Sequence, residues 1–482
     1  MTEESGALLV LRSTAWQWGF KVLTLGVGFV SISILTRLMG ASDYGRVGVV
    51  ATFVGFVVAV SDLGLPTIVA RDASRDPASM GEHVTSATWG RALLVVPTYA
   101  VALGIGALLY RDDRVVVAGI AVGLLGLLPS AIASTLTCIL QVEARLHVAA
   151  AMELVARTVT VAATFWLLKT GGGVVGVIGI TTAVSALHMV ALLRLLRGHL
   201  GRFAAWDAKV FGRLVRASLP LGIAVVLNSL YFRIDTIILS LVRPSADVGV
   251  YVAAYRVMEM MLVFPSLFGS AALPLLSRAA GGAEKLHDVV AKCLRLVVTV
   301  LLPLTVVVAV DARAVLLFLG GREFAGGADA LRLLAFAALT SGFNIVLGLA
   351  IIALNKQGRA LWLNVGALTL NVVLNAALDR HGGPAAAAAV TLGCEALVVV
   401  GACIVIRNAT GRAPRVPLAF RLLVSSLVTA GLLLVVPDGL GVVLRSLLAL
   451  VVYGVCCLVT RAVTPEDLDL LRRAARRGRA AA

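Results

Sequence analysis

Apolar residues run through this chain in blocks of about twenty, separated by short segments that hold most of the charge. A helix of about twenty residues crosses a hydrocarbon layer of ~30 Å. In lipid every backbone N–H and C=O must be bonded within the chain, which leaves helices or closed barrels. These blocks are too long and too uniformly apolar for barrel strands, which alternate over about ten residues. The pattern predicts an all-α polytopic membrane protein of about fourteen transmembrane helices. They fall at roughly 14–36, 46–68, 87–109, 115–138, 148–168, 174–194, 215–240, 248–275, 290–310, 331–354, 360–378, 384–406, 417–436 and 439–460.

Composition agrees: 60% of residues are apolar, 14% are charged, and the mean hydropathy is +0.98. The net charge of +16 would suggest nucleic acid in a soluble protein. Here the basic residues sit between apolar blocks and in a C-terminal tail, so they read as topology and not as a nucleic-acid surface. Loops on the N-terminal side, with the tail, carry 25 Lys and Arg against nine on the opposite side. The positive-inside rule then places both termini in the cytoplasm. The first block is too long for a signal peptide and is expected to remain as a span. The tail from Pro465 opens with acids and turns basic, as a solubilising end or a short helix on anionic lipid would.

The six cysteines have no metal-type spacing. No phosphate-binding Gly-x-x-x-x-Gly-Lys-Ser/Thr loop, His-Glu-x-x-His site or Gly-x-Ser-x-Gly elbow is present. Every loop is short, so a transporter is favoured over an enzyme and no cofactor is expected.

Two weak internal matches suggest a repeat. At an offset of 204 residues, Asp43 and Gly45 align with Asp247 and Gly249; at 214, Leu140 and Arg145 align with Leu354 and Arg359. Together they place equivalent turns after the first and seventh spans and after the fourth and tenth. This predicts two six-helix bundles plus two C-terminal helices. The expected division is an N-terminal lobe at 1–210, a C-terminal lobe at 211–408, an accessory pair at 409–462 and a cytoplasmic basic tail at 463–482.

Several stretches resemble a known family. Leu35 to Arg46, "LTRLMGASDYGR", is similar to the first helix–turn of polysaccharide-export flippases, and Ser61 to Leu65, "SDLGL", to the end of their second span. Ser218 to Arg256 contains Ser218-Leu219-Pro220, Arg233-Ile234-Asp235 and Gly249-Val250-Tyr251. Ile351 to Leu378 resembles the tenth and eleventh spans of the same group. The chain resembles the O-antigen and polysaccharide flippase branch of the multidrug/oligosaccharidyl-lipid/polysaccharide exporter superfamily over most of its length. The resemblance implies a bacterial inner-membrane flippase for undecaprenyl-pyrophosphate-linked repeat units. Implied partners are glycosyltransferases and an outer-face polymerase or ligase.

Ionisable groups at membrane depth are costly and mark functional sites by default. A pyrophosphate head group needs a surface that replaces its hydration, and arginine offers planar donors matched to phosphate oxygens. Arg233, Arg256, Arg157 and Asn228 are therefore the candidate substrate-binding residues. Arg256 and Glu259 are three apart and Glu153 and Arg157 four apart, so each pair shares a helix face. Asp235, Glu259, Glu153 and Glu395 are candidates for helix pairing or for Na+ or H+ coupling. All these groups could instead tie helices together, and His188 reads as a packed polar group. Pro220, Pro265 and Pro274 are placed to bend spans seven and eight. Competing readings are a cation-coupled multidrug exporter, a peptidoglycan-precursor flippase and a membrane scaffold for polysaccharide assembly.

Overall fold

The computed structural model describes residues 3–143, 145–200, 206–437 and 440–462; the expected basic tail, 463–482, lies outside the described residues. All regular structure among them is helical. In order come α1 (Glu3–Asp62), α2 (Leu65–Arg75), α3 (Met80–Leu109), α4 (Arg114–Leu124), α5 (Leu127–Val142), α6 (Leu146–Lys169), α7 (Val174–Leu195) and the single turn α8 (Arg197–Leu200). They are followed by α9 (Ala208–Val242), α10 (Ser245–Met261), α11 (Val263–Ala279), α12 (Ala283–Val310), α13 (Ala312–Gly320), α14 (Ala328–Ala353), α15 (Gln357–Thr410), α16 (Ala419–Val435) and α17 (Val442–Val459).

Among the described residues, 11 helical stretches are long and apolar enough to cross a membrane. The expected fourteen passes are thus met in part, and the difference has physical causes. Helices α1 and α15 are 60 and 54 residues long, about 90 and 80 Å at 1.5 Å per residue, against ~30 Å of hydrocarbon. Each contains one glycine in non-helical backbone, Gly40 at φ 73°, ψ 175° and Gly383 at φ 55°, ψ −142°. Residues with a Cβ rarely adopt such conformations. At Gly383 the chain folds back, for the Asn371 side chain lies beside the Cys394 thiol, whereas a straight helix would hold those residues about 35 Å apart. The spans expected at 360–378 and 384–406 are the two arms of α15, and those expected at 14–36 and 46–68 lie on either side of Gly40. Helix α16, with 17 residues, is a shorter apolar helix outside the 11.

Three expected spans are interrupted, at Leu63–Gly64, Leu125–Gly126 and Leu262. Pro66, Pro129 and Pro265 follow these breaks within three residues. Proline offers no N–H to the carbonyl four residues back and its ring crowds that carbonyl. Those carbonyls belong to Asp62, Leu125 and Met261, each at or beside its break. Pro97, Pro220, Pro274 and Pro303 sit within continuous helices, so proline alone does not end a helix here.

The chain divides into two compact units, with the boundary between Arg233 and Ile234 inside α9. The first unit has a core drawn from α2, α3, α5, α7 and α9, including Leu65, Val69, Val84, Leu136, Leu140, Leu192, Val210 and Leu214. Here α9 crosses the α1–α2 junction at backbone contact. A Cβ on Gly222 would stand 2.5 Å from the Leu63 carbonyl oxygen. The junction itself is left-handed, with Leu63 at φ 43° and Gly64 at φ 70°.

In the second unit, α16 and α17 pack on α12 through Val298, Leu422, Tyr453 and Cys457, and through Val307, Leu433 and Ala449. A buried ion pair fastens this contact. Arg445 of α17 lies 3.0 Å from Asp311, with both side chains about 5% exposed, and donates to the Leu433 carbonyl at 2.7 Å. Burial raises the Asp311 carboxyl above its ordinary range, and the Arg445 charge pulls it back. The remaining faces suit lipid: Phe420 and Val435 are 77% and 82% exposed.

Two outcomes follow from this packing. Arg445→Leu leaves the Asp311 charge buried without compensation, a change that costs about 3–5 kcal/mol and should lower the thermal midpoint in detergent. Adding Asp311→Leu should recover part of the loss; a double variant as unstable as the two singles combined would rule out the pairing. Gly222→Ala must push two backbones apart and should cost about 1–3 kcal/mol. Gly104→Ala, with nothing within 4 Å of its new methyl group, should be tolerated in the same assay.

Candidate functional site

In the first unit, Arg157 lies near the middle of α6 (Leu146–Lys169). It is exposed, and among the described residues no carboxylate pairs with it, not even Glu153 one turn away. Its guanidinium rests over Gly28 of α1, where a Cβ would stand 3.6 Å from one terminal nitrogen. A charge facing hydrocarbon at this depth is costly, so the geometry suits a polar, hydrated surface. Glu153 is exposed on the same helix, and its charge acts on the half-buried His188 of α7.

Asn228, on α9, is exposed, and Arg233, on the same helix, is partly buried. The structure therefore does not bring the four candidate substrate residues together within one unit: Asn228, Arg157 and Arg233 belong to the first, Arg256 to the second.

A second arginine of the first unit was not singled out in the sequence. Arg91, 3% exposed, pairs with Asp62 and donates to Ser134, Thr135 and the Ala131 carbonyl. It sits four residues inside the span expected at 87–109. Its two terminal nitrogens are spent on α1 and α5, so it acts as an internal tie across the α1–α2 junction. Arg157 has no such ties.

In the second unit, Arg256 and Glu259 of α10 form the ion pair their spacing predicted, at 2.7 Å and about a third exposed. Glu395, 2% exposed, accepts from the Asn344 amide at 2.6 Å, which links α15 to α14. Asp235, 1% exposed, accepts from the Tyr251 hydroxyl, from the Thr391 hydroxyl at 3.3 Å and from the Thr236 N–H at 2.6 Å.

Around Asp235 the two arms of α15 supply buried polar residues at helical spacing. Asn371, Asn375 and Asp379 follow one another at i, i+4, i+8, and Thr391 stands across from them on the returning arm. Asn375 donates to Asn371 at 2.9 Å. Asp379 is fully buried, and neither of its oxygens has a hydrogen-bond partner; the Asn375 carbonyl oxygen also lacks one. Asp235 and Asp379 are near enough for their charges to interact. A buried carboxylate in this state is strongly disfavoured unless a proton or a cation meets it.

The sequence signal for Asp379 was readable as an Asn-x-x-x-Asn-x-x-x-Asp stripe, but the expected span stopped one residue short, at 378. Among the described residues no group of three or more His, Cys, Asp or Glu is placed to hold a metal ion; the second-unit cluster has two carboxylates with amide and hydroxyl oxygens.

Comparison with known proteins agrees with this fold. The chain aligns at 23% identity over 369 residues with the probable low-salt glycan biosynthesis flippase Agl15 of Haloferax volcanii, covering 76% of this chain and 77% of that protein. The inward closed conformation of the lipid II flippase MurJ superposes with a TM-score of 0.77 at 13% identity, over 93% of this chain and 99% of the other. The inward-facing conformation of a multidrug resistance MATE family transporter of the MOP superfamily gives 0.62 at 16% identity, over 84% and 94%. The matched folds are those of transporters, not of enzymes. A MatE model matches residues 220–377. A second family model, polysaccharide biosynthesis protein, matches residues 10–280, more than half of the sequence, and the chain belongs to that family.

Proposed function

We propose that the chain is a flippase that carries an undecaprenyl-pyrophosphate-linked oligosaccharide across the bacterial inner membrane by alternating access. The observation that supports this best is Arg157, a mid-span guanidinium with no carboxylate pairing it. Two phosphate groups at membrane depth need charge-assisted donors, and a free arginine fork supplies them without first breaking an ion pair. Arg233 and Asn228 extend the reading along α9. In the second unit Arg256 would take phosphate only by exchanging Glu259 for it, so Glu259 acts as the placeholder that holds the arginine rotamer. The flippase reading also agrees with what is said of the relatives, one a glycan biosynthesis flippase and one a lipid II flippase.

The architecture that goes with this reading is two six-helix bundles plus two C-terminal helices, with both termini cytoplasmic. Glycosyltransferases would load the cytoplasmic leaflet, and a polymerase or ligase would consume the cargo on the outer face. The driving force is cation exchange at Asp235 and Asp379, with Asn375 and Thr391 as neutral oxygens. A sodium ion or a proton would satisfy the carboxylate oxygens that have no donor. Glu395, already bonded to Asn344, then serves helix pairing, and Glu153 tunes Arg157.

The decisive experiment is the sidedness of lipid-linked sugars in a deletion strain complemented with variants. Wild type should restore outward exposure, and Arg157→Ala should lower its rate roughly tenfold or more, the scale of one lost charge-assisted hydrogen bond. Arg157→Lys should fall between them. Unchanged sidedness on deletion would sink the flippase reading in favour of drug efflux or scaffolding, and full rescue by Arg157→Ala would remove the proposed site. In reconstituted vesicles, Asp379→Asn should abolish the dependence of flipping on an imposed Na+ or H+ gradient. A gradient response retained by that variant would exclude the cluster as the coupling site.

A further inference from the structure

Helix α9 is 35 residues long, about 52 Å, and a hydrocarbon core of ~30 Å takes about twenty of them. Its apolar stretch ends at Val242, so the first turns, from Ala208 to Arg216, lie at head-group depth. They have two faces. Val210, Leu214 and Ser218 are buried, at a spacing of four, and Phe211 packs onto Gly90 of α3 so closely that a Cβ there would stand 2.3 Å from the ring. The Asp207 N–H donates to Ser86 at 3.4 Å, and the Asp207 carboxylate caps the helix by accepting from the Lys209 N–H at 2.6 Å. This end of α9 is therefore pinned to the first unit.

The opposite face presents Lys209, Arg213 and Arg216, all exposed. Leu192 and Leu196 share the buried cluster of Val210 and Leu214, which sets the end of α7 against the buried side of α9, and Arg194 and Arg197 are exposed at that end of α7. Among the described residues none of these five cations has a carboxylate partner. Other arginines of the same unit do: the exposed Arg71 pairs with Asp72 and the partly buried Arg145 with Glu143. Trp206, 45% exposed, precedes the helix, and tryptophan favours the layer between head groups and acyl chains.

We propose that this face is a binding site for anionic phospholipid, with Lys209, Arg213 and Arg216 engaging head-group phosphates while Trp206 lies against the upper acyl chains. Charge complementarity selects the occupant, because three cations without carboxylate partners on one rigid helix face at head-group depth meet lipid phosphates before any other anion. A general preference of basic loops for one side would not require pinned geometry or cations left without a carboxylate partner. The site is independent of the cargo reading and does not use Arg157, Arg233 or Arg256.

The test is tryptophan quenching by brominated lipid in the purified full-length protein, held in an uncharged detergent. Dibromo-phosphatidylglycerol is titrated against dibromo-phosphatidylcholine, and Trp206→Phe identifies the signal of this residue. Each cation near an anionic surface contributes about fivefold in affinity. The Trp206 signal should show a preference for phosphatidylglycerol of roughly tenfold or more at low salt, shrinking as salt screens it. Lys209→Ala/Arg213→Ala/Arg216→Ala should abolish the preference, and Lys209→Arg/Arg213→Lys/Arg216→Lys should keep it. Equal quenching by both lipids in the wild type, or a preference that survives the alanine variant, overturns the proposal. So does displacement of the lipid by millimolar pyrophosphate or by a soluble acidic peptide at matched charge, because either would identify a different anion as the occupant.

Discussion

Hydrocarbon offers no hydrogen bonds, so each polar group placed within it must find a partner in the chain or in what the chain carries. The charged groups in the spans sort by this rule. Arg91 meets it through Asp62, two hydroxyls and a carbonyl, and Arg445 through Asp311 and a carbonyl. Both are nearly inaccessible, and both fasten one helix to others. Arg157 and Asp379 do not meet it with partners from the described chain. One is a cation at an exposed position and the other an anion in a closed one. In the proposed reading this difference in access gives them different partners, an anionic head group for the exposed Arg157 and a small cation or a proton for the buried Asp379.

The same rule governs the backbone. Pro66, Pro129 and Pro265 each leave a carbonyl without its helical donor, and the chain breaks within a residue of that carbonyl. At the first break the cost is offset by assembly: α9 crosses the Leu63–Gly64 turn at backbone distance, which only glycine at 222 allows, and Arg91 holds the adjoining Asp62. Two glycines with positive φ, Gly40 and Gly383, make the other large departures from helix. They occur where the lipid thickness leaves a continuous helix no solution.

Much of this was legible in the sequence because block length and apolarity are one-dimensional properties. The span positions, the pair Arg256–Glu259 at a spacing of three and the likeness to polysaccharide flippases all came from linear order. What escaped depends on where a helix ends and what stands across from it. Asp379 fell one residue beyond an expected span, and its importance comes from Asp235 and Thr391, which are far from it in sequence. Arg91 looked like one charge in an apolar block, since its four partners lie on α1 and α5. The two expected spans 360–378 and 384–406 are present as the arms of α15, but the sharp reversal between them turned on the backbone of Gly383, which no hydropathy pattern reports.

A transporter must also keep its helices firm while some of them move, and the distribution of ties is consistent with that demand. The ion pairs and glycine crossings described here lie within the compact units, while the boundary between the units falls inside α9, at Arg233 and Ile234. The first half of α9 is fixed at three points, through Phe211 on Gly90, Asp207 on Ser86 and Gly222 on Leu63. Asp235, two residues past the boundary, is held by Tyr251 and Thr391 of the second unit. One continuous helix is thus anchored at both ends by different sets of contacts, with Pro220 inside it. Proline lacks the N–H that would tie its turn to the one before, so bending at that point breaks fewer hydrogen bonds than bending elsewhere in α9. In the proposed reading, a cation that neutralises Asp235 and a phosphate that engages Arg233 act two residues apart on this helix, on either side of the boundary between the units, so coupling between them needs no path longer than one helical turn.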